Sequence, residues 1–176
     1  MTDLWVFGYG SLMWRPGFDH VEAVPARLSG AHRALCVYSW VHRGTRERPG
    51  LVLGLDRGGS CRGIAYRVAG ERRDEVIAYL RDRELVTDVY RESWRAIRLE
   101  GPEPKMETAL AYLVDPAHEQ YAGKLSRESL LARVRDGVGR SGVNAEYVIN
   151  TADHLRTLGF GDPVLDWLAG ELRRRD

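Results

Sequence analysis

Strand-forming segments crowd the first two thirds of this chain and helix-forming segments the last third, and that order restricts its fold more than any other feature. Leu4 to Tyr9 is a short apolar run broken by Gly8 and Gly10, as expected of a buried strand feeding a turn. Residues 34–41 (ALCVYSWV) are rich in β-branched and aromatic side chains and predict a second strand. A polar loop bounded by Gly and Pro, residues 43–50 (RGTRERPG), follows. Leu51 to Asp56 and Arg62 to Val68 predict two strands joined as a hairpin through Gly58 and Gly59. Tyr90 to Leu99 and Thr108 to Val114 predict a further pair that turns around Gly101 and Pro102. One helix interrupts this series, because Glu71 to Glu84 has helical spacing.

The remaining segments carry helix punctuation. Ser126 is expected to cap a helix reaching about Arg135. Asn144 is expected to cap one that runs to Leu158 and stops at Gly159. Asp162 followed by Pro163 is a cap with proline at the first helical position. Strands first and helices last predict an α+β fold: a mostly antiparallel sheet curled into a barrel, with flanking helices. The 176 residues suit one domain over 1–176, large enough to bury a core unaided.

Composition narrows the function. The net charge is +1, with no acidic or basic block, which points away from nucleic acid and from a membrane surface. Arg173, Arg174 and Arg175 read as a solvated helix end. Cys36 and Cys61 lie far apart without a CxxC pattern, so both are expected to be reduced. The opening MTDLWVFGYGS lacks the basic and apolar regions of a signal peptide, and no segment reaches the ~20 apolar residues of a membrane span. These readings predict a cytoplasmic protein.

Two motifs stand out. In FGYGSLMW, residues 7–14, Gly8 and Gly10 let the chain turn sharply and bring backbone close to a ligand. Successive N–H groups in such a turn can converge on a carboxylate or a phosphate. Met13 stands where the dinucleotide fingerprint needs its third glycine, and no GK[ST] follows. The same glycines also suit a plain strand-to-loop turn. The second motif is a carboxylate on an apolar helix face: Val76, Ile77 and Leu80 form the stripe, and Glu84 continues it. Desolvation there would raise its pKa from ~4.3 toward neutrality, where an acid/base catalyst works best. The alternative is a Glu84 in water, or paired with Arg81 or Arg83.

Other groups carry weaker signals. The five histidines form no HExxH, so no metal site is expected. Ser11 is not in a GxSxG elbow. Cys36 reads as core. Arg43, in the polar loop, is a candidate partner for a substrate carboxylate. Tyr147 is either a core-edge residue or a hydroxyl lining the pocket.

Five blocks in order carry a resemblance. WVFGYGSLMW at 5–14, HRGTRERPG at 42–50, GIAYRV at 63–68, YLRDRE at 79–84 and SGVNAEYV at 141–148 resemble the ChaC-type γ-glutamylcyclotransferase family. The resemblance covers roughly Leu4 to Leu158 and implies the γ-glutamylcyclotransferase-like fold, glutathione as substrate and no cofactor. It places Glu84 as the proton acceptor. It puts substrate on the N-terminal turn, here Val6, Phe7, Gly8, Tyr9, Gly10 and Ser11; the residues themselves add Leu12 to that turn, and Arg43 and Tyr147 as further candidate binding residues. Two departures concern the pocket rim: Arg46 stands where proline is expected, and LVTDVY after Glu84 lacks paired glycines. The remaining alternatives are a cyclotransferase for other γ-glutamyl amines and a non-catalytic module for an anionic metabolite. The latter would tolerate a Glu84 exposed and remote from the turn.

Overall fold

The structure is a computed structural model that describes residues 1–174. Five strands close into a barrel in the order β1, β3, β2, β4, β5: Leu4–Gly8 (β1), Glu22–Ser39 (β2), Gly50–Val68 (β3), Tyr90–Leu99 (β4) and Lys105–Val114 (β5). The pairs β1–β3, β2–β4 and β4–β5 are antiparallel, and a short parallel pairing of Trp5 and Val6 with Ala109 and Leu110 closes the ring. The four helices are Arg73–Glu84 (α1), Arg127–Asp136 (α2), Asn144–Thr157 (α3) and Pro163–Arg173 (α4), with a two-stranded ribbon of Val138–Gly139 (β6) and Gly142–Val143 (β7) before α3. The predicted α+β barrel with flanking helices is therefore present.

The chain divides into two compact units. The first, residues 1–34 and 55–118, holds β1, α1, β4, β5 and the outer parts of β2 and β3. Its core gathers Leu4, Val6, Leu12, Val68, Val76, Leu80, Leu110 and Tyr112. Val76 and Leu80 are the inward face of α1, and burying each contributes about 1.5–3 kcal/mol. The second unit, residues 35–54 and 119–176, contains the loop after β2 and helices α2 to α4. Ser126 caps α2 by accepting from Ser129 N, and Asp162 caps α4 by accepting from Val164 N and Leu165 N, as expected. At the end of α4, Arg173 pairs with Asp153 and Arg174 with Glu171; Arg175 lies outside the described residues. Among the described residues no helix is long and apolar enough to cross a membrane.

Three expectations need correction. Gly58 and Gly59 do not reverse the chain. Both have positive φ (92° and 69°), yet residues 50–68 form one strand. Paired left-handed glycines serve a bulge as well as a hairpin, and here the strand bends and continues. The second strand begins at Glu22, twelve residues before the predicted Ala34. Asn144 is the first residue of α3 and makes no capping bond; its side chain is used elsewhere.

Candidate active site

β1 delivers the chain into the glycine turn, and residues 11–13 follow as one turn of 3-10 helix. The carbonyls of this segment all face protein donors. Tyr9 O accepts from Arg33 Nε at 2.6 Å, and Gly10 O from Met13 N at 2.9 Å. Ser11 O accepts from Arg15 N at 2.7 Å, while the Tyr66 hydroxyl donates to Leu12 O at 2.7 Å and Met13 O at 3.0 Å. The first N–H groups of a helical turn have no partner inside that turn, which suits them to an anion. Burial of the Tyr66 ring among Phe18 and His20 pushes its hydroxyl up to about 12, so it stays a donor at neutral pH. Gly63 packs under Gly8: a Cβ there would stand 2.2 Å from Gly8 O. Val6 and Phe7 are fully buried, and Gly8, Tyr9, Gly10 and Leu12 are buried too; Ser11 is exposed.

Glu84 is the last residue of α1, one turn beyond Leu80, and its side chain is 19% exposed. It is neither in open water nor paired with Arg81. Burial raises its pKa above the ordinary carboxylate value, and the neighbouring Arg83 opposes that rise. Arg83 Nε lies 3.6 Å from Glu84 Oε1. The same guanidinium reaches the glycine turn, with Nη2 donating to Ser11 Oγ at 2.9 Å and Nη1 to Arg15 O at 2.7 Å. Within the first unit Arg83 thus contacts both motifs predicted from sequence, Glu84 and the glycine turn.

Tyr112 and Glu92 complete the surroundings. They sit opposite each other on β5 and β4, and the Tyr112 hydroxyl donates to Glu92 Oε2 at 3.1 Å. Arg81 grips Glu92 with two bonds of 2.9 Å, and this pairing holds the Glu92 carboxyl below its ordinary value. Burial, then the nearby Glu92 and Glu84 carboxylates, push the Tyr112 phenol upward. A neutral phenol, itself bonded to Glu92, is therefore a neighbour of the general-base candidate.

Arg43 and Tyr147 belong to the second unit. The Arg43 guanidinium lies 5.5 Å from the Tyr147 ring centroid and donates to Val143 O at 3.2 Å. The Tyr147 hydroxyl accepts from Leu53 N at 3.0 Å, so it engages backbone at the core edge. Asn144, fully buried, pairs with both backbone groups of Leu51: Oδ1 accepts from Leu51 N and Nδ2 donates to Leu51 O, each at 2.9 Å. Gly50, Gly137 and Gly139 pack so close to the Arg43 backbone that a Cβ on any of them would fall within 2.4–2.6 Å of it. Arg46, at the position where proline was expected, lies 4.6 Å from the Trp40 ring centroid as a cation–π contact.

Sequence reasoning missed Arg83, Tyr66, Tyr112 and Glu92 as parts of this arrangement. From sequence Arg83 is only an ion partner for Glu84, and Tyr66 and Tyr112 lie inside predicted strands with nothing to single them out. The available signal was their polar tip on a buried strand face, which requires a partner.

Comparisons with known proteins identify the family and the fold. The family model of ChaC-like proteins matches residues 4–174. A protein of Escherichia coli K12 named glutathione-specific gamma-glutamylcyclotransferase is 32% identical over 97% of this chain and 73% of its own length. A mouse protein named glutathione-specific gamma-glutamylcyclotransferase 1 is 34% identical over 89% of this chain and 71% of its own. The crystal structure of a yeast γ-glutamylcyclotransferase specific to glutathione superposes with a TM-score of 0.84 at 21% identity, covering 98% of this chain and 96% of that one, and so shows the fold. This chain belongs to the ChaC-like protein family.

Proposed function

We propose that this protein degrades glutathione by closing its γ-glutamyl group on itself, releasing 5-oxoproline and Cys-Gly. The observation that carries the reading is a largely buried carboxyl of raised pKa, Glu84, joined through Arg83 to the glycine turn. The substrate's α-carboxylate rests on the turn from Gly8 to Leu12. Glu84 takes a proton from the α-ammonium, and the freed amine attacks the γ-carbonyl of the same residue. Because the attack is intramolecular, the enzyme's main task is to fold the substrate; proximity of this kind contributes up to ~7–11 kcal/mol. Glu84 then returns the proton to the departing cysteinyl amine, acting as base and then as acid. Val6 and Phe7 serve through the backbone they fix, since their side chains lie in the core. Arg43 and Tyr147 are the further binding residues, with Arg43 suited to a carboxylate.

The family match over residues 4–174 supports a single functional domain across 1–176. Cys36 and Cys61, both buried and in no disulfide, support a reducing, cytoplasmic setting. The test is to incubate purified protein with glutathione and, separately, with γ-glutamyl-alanine, and to assay 5-oxoproline. Release from glutathione with little from γ-glutamyl-alanine is expected; the reverse preference would move the substrate to other γ-glutamyl amines.

A further inference from the structure

Arg83 touches both halves of the proposed site. Its side chain is 21% exposed and donates to four residues: Ser11 Oγ at 2.9 Å, the carbonyls of Arg15 and Pro16 at 2.7 and 3.1 Å, and the Tyr79 hydroxyl at 3.1 Å. A guanidinium has donors and no acceptor, so Ser11 Oγ accepts from Arg83 and the single hydroxyl proton points elsewhere. Ser11 is the exposed residue in a turn whose neighbours from Gly8 to Met13 are buried. An exposed O–H with a cation behind its oxygen suits a carboxylate.

We propose that Arg83 is a positioning residue: it fixes the Ser11 hydroxyl as a donor to the substrate's α-carboxylate and holds the Glu84 carboxyl beside that subsite. The inference rests on the cyclotransferase reading and adds to it the group that couples binding to proton transfer. The charged and titratable groups around Glu84 are Arg83 on its own helix, Tyr112 from β5 and, behind Tyr112, Glu92 from β4 with its partner Arg81; the turn contributes neutral Ser11. Arg83 is thus the cation that favours ionised Glu84.

The test uses Arg83→Met and Arg83→Lys, with KM, kcat and the pH profile of kcat/KM measured for glutathione. Arg83→Met removes both the fork and the charge. KM should rise about tenfold or more, and the acid limb of kcat/KM should move to higher pH, since Glu84 loses its neighbouring cation. Lysine keeps the charge but cannot fork to several acceptors, so Arg83→Lys should return the limb to its wild-type position while KM stays raised. Ser11→Ala should raise KM alone, and adding it to Arg83→Met should change KM little further. A Met variant whose limb or KM stays at the wild-type value overturns the inference, even if its Tm falls, because a purely structural staple would lower Tm and nothing else. If the Met variant does not fold, Arg83→Lys decides: raised KM supports the inference and unchanged KM refutes it. Wild-type protein that releases no 5-oxoproline sinks the functional reading itself; an active wild type with unaltered Arg83 variants sinks only this inference.

Discussion

Asn144 offers the sharpest test of how the second unit holds its loop. Its amide satisfies the N–H and the C=O of Leu51 with two bonds of 2.9 Å, and it is fully buried. Asn144→Ala leaves both backbone groups without a partner where water has little access. Each such group costs about 1–3 kcal/mol, so the loss should be about 4 kcal/mol. For a chain of this length a kilocalorie moves Tm by about 2–4 °C, which puts the expected drop near ~10 °C. Asn144→Asp keeps the acceptor for Leu51 N but sets an oxygen against Leu51 O, so it should also be less stable than wild type. Tyr147→Phe, which removes the acceptor for Leu53 N, should cost about 1 kcal/mol or more. Thermal melts followed by circular dichroism at neutral pH measure all three. An Ala variant melting within 2 °C of wild type, or an Asp variant as stable as wild type, would refute the bonding scheme.

Three further outcomes follow from the first unit. Tyr66→Phe removes the donor to Leu12 O and Met13 O; it should lower stability by about 1–3 kcal/mol and raise KM for glutathione, measured by melts and steady-state kinetics. Gly63→Ala would press a methyl to 2.2 Å from Gly8 O and should destabilise by about 1–3 kcal/mol with loss of turnover, whereas Gly101→Ala, with open space around it, should melt within about 1 °C of wild type. Arg81→Gln tests the Glu92 pair. Arg81 lowers the folded-state pKa of Glu92, so the pair's contribution is full above about pH 5 and fades as pH falls through that lowered value. The stability gap between wild type and Arg81→Gln should therefore be constant between about pH 6 and 8 and close toward about pH 3; a gap that widens on acidification contradicts the assignment.

Much of the barrel was legible because its strands carry apolar or β-branched runs, and Glu84 was legible because it lies four residues beyond Leu80 on α1. What escaped has physical reasons. The start of β2 buries only Ala26 and Leu28 between exposed residues, and Pro25 and Gly30 within it read as breakers. Gly58 and Gly59 announce positive φ, but positive φ does not say whether the chain turns back or merely bends. Asn144 at the head of a helix looks like a cap until Leu51, far away in sequence, claims its amide. Arg83 reads from sequence only as an ion partner for Glu84 because its contacts in the turn and just after it, Ser11, Arg15 and Pro16, are nearly seventy positions away or more. Periodicity reports which face is buried; it does not report which distant polar group completes a side chain.

The central claim is that the Glu84 carboxyl accepts the proton that sets the cyclisation going. Glu84→Gln preserves size and shape and removes that acceptor. Measured with glutathione under single-turnover conditions, the variant should still bind the tripeptide and should form 5-oxoproline at least ~10²-fold more slowly than wild type. Release of 5-oxoproline at a near wild-type rate by Glu84→Gln would contradict the account.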